Sequence, residues 1–523
     1  MSHGPGNNMG YWCQAPVVEL PERIAMIDLS GPEPREVRYG ELGRRLDRLA
    51  ALLSGLGLVS GDRLAMVIGN RFEFVEIMYG AMRAGIVPVP LNTKLGADTL
   101  DYIMRDAGCT AAVVDPACNR FAVDVVEDIG LAQRLALGSV PPGWRDYEGA
   151  LMATPAAFDP PAIDDDHPCF QPYTSGSTGR PKGVVLTHAG QLWWIRCVQK
   201  YWPASIEDRA LAAVPLYHKN AMAGAIKPML QIGGSVVILP DFEPKRFLRV
   251  LSEYRCTAAG AVPAVFTLLL QHRELIRNLD FSALRTLKLG SAPVQAELMR
   301  DVEVSFGVAV AESYGLTEGG PVMIGPPLDG RNVPHGSCGV AWPEGEVKLV
   351  GADGKASPSY GELWVRNPGV TPGYYNLPEV NAKRLQDGWL STGDLFRVDD
   401  QGFYYFMGRT DDMFKSGGEN IYPKEVENLL LTHPDVYDAS VVPVDHAIKG
   451  KVPVAMVMLA PGAGAASEAI LKRYCLENGP PYAHPRRILI VDRLPLNGAG
   501  KVDRVVVQRQ MNELYRTELA GTA

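Results

Sequence analysis

Side chains that staple or metallate small folds are scarce in this sequence, and those present are poorly spaced for either role. Eight cysteines and nine histidines are spread through 523 residues. The cysteines run from Cys13 to Cys475 with no CxxC and no close pair, and the histidines form no HxxxH or Cys/His cluster. That distribution argues against a disulfide framework and against structural zinc, and it fits a reducing, cytoplasmic setting. Excess positive charge is missing as well. A formal net charge of -8 and a pI near 5.7 give no basic face of the kind that nucleic-acid backbones require, while leaving room for a local patch around one nucleotide. The longest uncharged apolar stretch, Thr257 to Leu270, is broken by Gly260 and Pro263 and is shorter than a membrane span. The opening MSHGPGNNMGYWCQAP lacks the basic start and apolar core of a signal peptide. A soluble cytoplasmic protein with no nucleic-acid partner and no transmembrane segment is expected; whether it forms a homo-oligomer stays open.

What is present is ample core. Hydrophobic residues make up 46% and charged residues 21% of a chain too long for one compact core, so at least two domains are expected. Helical and strand patterns alternate from about residue 36. Leu42, Leu46, Leu49, Leu52 and Leu53 sit at helix spacing, and the short apolar strand RLAMVI (63–68) follows. Next come a helix over RFEFVEIMYGAMRAG, then VPVP, then AAVV ending at Asp115. The alternation continues through SVVILP (235–240), a helix near Phe247 to Tyr254, and LRTLKLG, and it predicts parallel sheets covered by helices. After about Pro326 the texture changes to the short β-rich runs EVKLV, GELWVR and GFYYFMGR, which read as a barrel-like subdomain over about 327–409. Beyond GRTDD (408–412) a helix (Lys424 to Leu431) and the runs ASVVPV and VPVAMVML make a self-contained α+β pattern. The expected fold is therefore α/β, with a large N-terminal domain over 1–409 that includes the β-rich subdomain, and a small α+β domain over 410–523.

The strongest chemical signal is YTSGSTGRPKGV, Tyr173 to Val184. Gly176, Gly179 and Gly183 let backbone N–H groups approach phosphate oxygens. Thr174, Ser175, Ser177 and Thr178 offer hydroxyls, and Lys182 offers positive charge. No Gly-Lys-Ser/Thr tripeptide follows, so this is not a Walker A loop, and the chain has no clean GxGxxG after a strand, which leaves a dinucleotide-dependent oxidoreductase little support. Taken by composition alone, such a stretch could equally be a polar surface loop.

The whole string closely resembles the signature of the adenylate-forming acyl-CoA synthetases, a superfamily that also includes luciferases and peptide-synthetase adenylation domains. GSAP (290–293), ESYGLTE (312–318), WLSTGDL (389–395), GRTDDMFKSGGENIYP (408–423) and PLNGAGKVDR (495–504) resemble the family's other motifs, in order and across nearly the whole chain. The resemblance implies ATP and magnesium as cofactors and coenzyme A as the thiol substrate. It places Thr174, Ser175, Gly176, Ser177, Thr178, Gly179 and Lys182 on the phosphates, and with them Gly290, Ser291, Ala292, Pro293, Glu312, Ser313, Tyr314, Gly315 and Thr317 around the nucleotide. Tyr314 would pack on the adenine, Thr317 would meet the phosphate, and Glu318 would help hold magnesium. Asp394 would accept the ribose hydroxyls, and Arg409 would reach the same sugar or the phosphate. Lys501, between Gly498 and Gly500 on one side and Val502 on the other, corresponds to the adenylation lysine, so that Lys501, Thr178 and Glu318 form the catalytic set.

The same resemblance puts His218 of PLYHKNAM, with Gly290 and Gly315, beside the acyl pocket, as lining and not as a base. It puts Ser416, Gly417 and Gly418 of KSGGEN on the thiol channel and Asp411 at the hinge of a mobile C-terminal domain. GPPYAHPRR (479–487) departs from the Tyr-Lys-x-Pro run of many relatives, which puts any role for that lysine in doubt, and His188 reads as structural. The implied activity is ligation of a carboxylic acid to coenzyme A through an acyl-adenylate. Loading of a separate carrier protein in trans, a luciferase-like oxygenase and a catalytically inactive nucleotide-binding homologue remain as alternatives; about twenty residues after Lys501 leave no room for a fused carrier. Which acid is used is not readable from the sequence.

Overall fold

Alternating apolar strands and one-sided apolar helices can satisfy their backbones and bury their faces together only as parallel sheets covered by helices. The computed structural model shows two such sheets. It describes residues 6–175, 180–218, 221–290, 294, 296–446, 448–460, 462–463, 466–496 and 501–521, without the side chains of 175, 321–322, 420 and 516–521. The chain folds as two units, one of 1–347 with 364–392 and one of 348–363 with 393–523. It passes between them within the strands Glu346–Val350, Tyr360–Arg366 and Trp389–Val398.

In the first unit the larger sheet has six parallel inner strands in the order Ile24–Asp28, Ser235–Ile238, Arg209–Ala212, Ala258–Ala261, Thr286–Gly290 and Val310–Leu316. Antiparallel strands Arg35–Arg38 and Gly320–Gly325 flank them, and Val340–Ala341 completes the edge. The second sheet is wholly parallel, ordered Val87–Pro90, Arg63–Val67, Cys109–Val114, Gln133–Ala136 and Arg145–Asp146. Helices Tyr39–Gly55 and Phe72–Arg83 share one core with inward residues of both sheets, including Met26, Val236, Leu64 and Val113. Helices Pro244–Glu253, Pro263–Leu270 and Ala296–Phe306 cover the far face of the larger sheet. The helix start at Pro244 has a local cause: Glu243 accepts hydrogen bonds from the Lys245 and Arg246 amides, and proline stands at the first turn.

Because sheets and helices enclose it on all sides, every residue of Phe72–Arg83 is buried, its charges included. Glu76 is paired with Arg45 and accepts from the Tyr147 hydroxyl, and Arg83 pairs with Asp47. Burial pushes the Glu76 carboxyl up to about 7 against the pull of Arg45. His188 is also sealed in; its Nδ1 accepts the Met9 amide at 2.8 Å, and burial, then the nearby His167, drives its pKa down to about 3. It is a structural group.

The β-rich stretch is antiparallel, with Leu349 opposite Ser357, Leu385 opposite Leu390, and Asp394 opposite Arg409. In the second unit the hairpin of Val436–His446 and Gly450–Leu459 is joined by Phe414–Ser416 and by the parallel strand Ile488–Val491. Val441 and Val457 face helices Pro423–Leu431 and Glu468–Asn478, while Val442 and Val454 face helix Arg504–Gly521. Both faces are covered, which is why these two strands read as nearly unbroken apolar runs. The α/β architecture with a β-rich, barrel-like part and a C-terminal α+β unit is as the sequence predicts.

Glu76→Ala removes the buried counter-charge of Arg45 and the acceptor of Tyr147, while leaving Glu148 as a more exposed partner. A loss of about 3 kcal/mol is expected, the low end for breaking a buried pair, and the denaturant midpoint of the first unfolding transition checks it.

Candidate functional site

In an open parallel sheet, ligands bind beyond the carboxyl ends of the strands, where loops diverge. Two of the motifs end there. Strands Thr286–Gly290 and Val310–Leu316 run in parallel register with Leu289 beside Glu312 and Gly290 beside Ser313, so GSAP and ESYGLTE emerge side by side. Glu312 is buried and accepts from the Cys338 thiol at 3.7 Å; Ser313, Tyr314, Gly315 and Thr317 are half-buried. Ser291, Ala292 and Pro293 lie outside the described residues.

The Gly-rich string forms a hairpin. Tyr173–Ser175 pairs antiparallel with Pro181–Gly183, placing Thr174 opposite Lys182. The tip, Gly176, Ser177, Thr178 and Gly179, lies outside the described residues, as does the Ser175 side chain. The hairpin base is anchored by Tyr173, whose hydroxyl donates to Asp106 at 2.6 Å; burial and that carboxylate raise its pKa. Thr174 and Glu318 meet through a long 3.5 Å hydrogen bond, and the Tyr374 hydroxyl donates to the same Glu318 oxygen at 3.1 Å. The Lys182 ammonium lies 5.8 Å from the Tyr374 ring centre. The structure thus joins Thr174, Lys182 and Glu318, and it adds Tyr374, which sequence reasoning missed. The signal available was TPGYYN, whose register is fixed by Tyr375 donating to the Gly183 carbonyl and Val185 donating to that of Gly373.

Magnesium binds hard oxygens, keeps several waters, and takes one or two carboxylates plus substrate phosphates. Glu318, ringed by two hydroxyls, fits that pattern. Among the described residues no group of three metal-type side chains occurs, so a dedicated all-protein cage is not offered.

His218 stands in the turn after strand Arg209–Ala212, half-buried, with its ring 4.7 Å from that of Tyr217. The Tyr217 hydroxyl is buried without a hydrogen-bond partner among the described residues.

In the second unit, antiparallel pairing sets Asp394 opposite Arg409, and Arg409 Nη1 donates to Asp394 at 2.9 Å. Arg409 also grips Asp411 with Nε and Nη2 at 2.8 and 3.2 Å. Burial would lower the Arg409 pKa, but Asp411 and Asp394 outweigh it and hold the guanidinium charged. Lys501 joins this group electrostatically. The residue is exposed overall, yet protein around its ammonium end lowers its pKa, with Asp394 opposing and Arg409 reinforcing that shift. The turn carrying Lys501 is closed at its base by a bridge between Leu496 and Val502 and by Asp503 donating to the Pro495 carbonyl. Gly498 and Gly500 lie outside the described residues. Arg504, another residue whose role the sequence did not reveal, ties that base to Glu427 at 2.5 Å and Asp412 at 3.4 Å.

Ser416 is buried at the end of a strand, and Gly417 and Gly418 make the turn that follows with φ of 59° and 96°. Two successive left-handed residues suit a tight hairpin, and glycine takes them without strain. In GPPYAHPRR, Ala483 stands where the lysine of the Tyr-Lys-x-Pro run would fall, and the neighbouring His484 bonds the Pro481 carbonyl and Arg486, each at 2.6 Å.

The family described as AMP-binding enzyme matches residues 13–375, and the AMP-binding enzyme C-terminal domain matches residues 425–501. A feruloyl-CoA synthase from Amycolatopsis is 36% identical over 481 residues, covering 90% of this chain and 93% of that protein. A long-chain-fatty-acid–CoA ligase, FadD13 of Mycobacterium tuberculosis, is 30% identical over 90% of this chain and 92% of its own. ATP-bound MatB from Rhodopseudomonas palustris superposes with a TM-score of 0.86 at 30% identity, covering 97% and 99% of the two chains.

Arg504→Ala leaves the buried Glu427 with only Lys424 as a close cation among the described residues. A loss of about 1–2 kcal/mol is expected, discounted because Arg504 is half exposed. Hydrogen exchange should quicken at the Val502 and Asp503 amides. Unchanged protection there would show that the turn stands without the clamp.

Proposed function

The chain belongs to the AMP-binding enzymes, the adenylate-forming acyl-CoA synthetases, and from that premise we propose that it joins a carboxylic acid to coenzyme A in two half-reactions on one site. It is an ATP-dependent, AMP-forming ligase using ATP, Mg2+ and coenzyme A. In the first half-reaction a carboxylate oxygen attacks the α-phosphorus of ATP, the α–β bridging bond breaks, and pyrophosphate leaves. In the second the coenzyme A thiol attacks the acyl carbon, AMP leaves, and the thiol proton passes to solvent. The adenylate turns a carboxylate oxygen that cannot leave into one that can. A magnesium ion, when bound, neutralises phosphate charge, and Glu318 is the residue proposed to hold it.

The observation that best supports this reading is the convergence of Thr174 and Tyr374 on Glu318, beside Lys182, at the carboxyl end of the larger sheet. Thr174, Ser175, Gly176, Ser177, Thr178, Gly179 and Lys182 are proposed to hold the phosphates. Tyr314, Gly290 and their motif neighbours would hold the adenine, and Asp394 with Arg409 the ribose. His218 with Gly290 and Gly315 would line the acyl pocket, and Ser416, Gly417 and Gly418 the thiol path. Residues 1–409 and 410–523 are proposed as the large and small domains, hinged at Asp411. Because Arg409 grips the Asp411 carboxylate, a test of the hinge needs Asp411→Asn beside Asp411→Pro, to separate side chain from backbone. A cytoplasmic location is proposed with this activity; no helix among the described residues is long and apolar enough to cross a membrane.

The relatives' names include feruloyl, long-chain fatty and indoleacetyl acids, so an aryl or fatty acid is the proposed substrate range. ATP–pyrophosphate exchange over a panel of such acids, with coenzyme A consumption as second readout, tests the proposal. Exchange without coenzyme A consumption would favour a carrier-protein acceptor, and no exchange with any acid would favour an inactive homologue.

Lys501→Ala should abolish acyl-AMP formation, by 100-fold or more on the order of one lost transition-state donor, while thioester formation from supplied acyl-AMP falls far less. Equal losses in the two half-reactions would remove Lys501 from its assigned role. Glu318→Gln should raise the magnesium concentration needed for half-maximal adenylation and barely alter affinity for the free acid; an unchanged magnesium titration would count against the metal assignment.

A further inference from the structure

The segment from Asn367 to Tyr375 is stitched to two parts of the candidate site at once. To the end of ESYGLTE it is tied by a bridge between Gly319 and Val370, by the Asn367 side-chain amide donating to the Gly319 carbonyl at 2.9 Å, and by the Thr371 amide donating to the Glu318 carbonyl at 2.6 Å. To the stretch that follows Lys182 it is tied by a bridge between Val184 and Tyr374 and by Val185 donating to the Gly373 carbonyl at 3.1 Å. The separation between Glu318 and the phosphate hairpin is therefore set by main-chain pairing through this segment.

Thr371 belongs to both seams. It is buried, its backbone holds Glu318, and its hydroxyl donates to the Val185 carbonyl at 2.6 Å while accepting the Gly373 amide at 3.1 Å. A valine of the same shape would fill the space but could neither donate nor accept. Tyr374 is clasped by a single side chain. Asn381 Oδ1 accepts the Tyr374 amide at 2.7 Å, and Asn381 Nδ2 donates to the Tyr374 carbonyl at 2.9 Å, so that one amide takes the place of a strand neighbour. That approach needs Gly373, where an added methyl would stand 2.7 Å from Asn381 Nδ2. With its main chain fixed on both sides, Tyr374 donates its hydroxyl to Glu318 Oε1, the same oxygen that Thr174 reaches. Among the described residues no hydrogen bond or ion pair falls on Glu318 Oε2.

Tyr147 and Glu76 show the same pair when it serves the fold alone. Glu76 accepts from the Tyr147 hydroxyl, but Arg45 also pairs with it and the carboxylate is sealed. Glu318 has the tyrosine without the arginine. Lys182 lies instead over the ring of the same Tyr374, 5.8 Å from its centre, so one neutral side chain meets both charges and keeps them from quenching each other. A carboxylate pinned by one oxygen and unpaired at the other is already oriented for a cation.

We propose that Tyr374 and Thr371 are positioning residues for the adenylation step. Tyr374 holds one oxygen of Glu318 so that the other is offered to magnesium, and Thr371 sets the spacing between that carboxylate and the phosphate hairpin. Both act through Glu318 and take no part in bond making. The inference rests on the reading of Glu318 as the magnesium residue.

Calorimetric titration with ATP, once in excess magnesium and once in EDTA, tests it without turnover. Wild-type protein should bind ATP more tightly with magnesium, and Glu318→Gln should lose that increment. Tyr374→Phe, which keeps the ring beside Lys182, should lose about 10-fold of the magnesium-dependent affinity, the low end for removing a hydrogen-bond partner of a metal ligand. Its affinity for metal-free ATP should be unchanged, which also reports that the variant is folded. Thr371→Val should act in the same direction, and Thr371→Ser, which restores the hydroxyl, should recover the increment. In ATP–pyrophosphate exchange both damaging variants should raise the magnesium concentration for half-maximal rate without altering KM for the acid. Equal weakening with and without magnesium, or a full increment in Tyr374→Phe or Thr371→Val, would overturn the positioning role of that residue; Glu318 would keep its own if Glu318→Gln still lost the increment. A full increment in Glu318→Gln, or none in the wild type, would overturn both readings.

Discussion

Parallel pairing between Thr286–Gly290 and Val310–Leu316 is the constraint from which the arrangement of the first unit follows. Two motifs separated by some twenty residues are delivered to one edge because their strands run the same way in adjacent places. Parallel strands need a crossover, and the crossover here is helix Ala296–Phe306, whose Leu298, Met299 and Val302 seal the far face. A single-residue slip in strand Thr286–Gly290 would turn Lys288 toward the far core and bring a leucine to the opposite face. The apolar face therefore enforces the polar one. The same logic governs the second unit, where antiparallel register sets Asp394 across from Arg409 before either side chain chooses a partner.

Much of this was legible in the sequence because it is written in periodicity. The run RLAMVI is a strand over Arg63–Val67, and the helix after it is Phe72–Arg83. VPVAMVML reads as an apolar run because two helix layers cover the strand it forms. The motif residues Thr174, Lys182, Glu318, Asp394, Arg409 and Lys501 were legible as strings, and their grouping within each unit follows from sheet register. What was not legible has a common physical character. Tyr374 acts through a hydrogen bond across 56 residues to Glu318, and Arg504 through ion pairs across 77 and more. Neither leaves a periodic trace, because nothing local requires a tyrosine or an arginine there. Lys288 was half legible. The parity of LKLG announces that it faces away from its leucines, but the Trp202 ring against which its ammonium lies comes from a distant segment.

The way cations are partnered sorts them by task. Arg409 is held by Asp394 and Asp411, and Arg504 by Glu427 and Asp412. Their charge is already met by the protein: Arg504 ties the base of the Lys501 segment, and Arg409 holds the Asp394 carboxylate with which it is proposed to meet the ribose. Lys182 and Lys288 instead lie against the neutral rings of Tyr374 and Trp202, and among the described residues neither pairs with a carboxylate. A ring stabilises a cation by its quadrupole yet leaves the full positive charge to attract an anion from outside. A chain with net charge -8 can therefore hold polyanions, provided a few lysines are withheld from its many carboxylates. In the proposed function the phosphates answer Lys182.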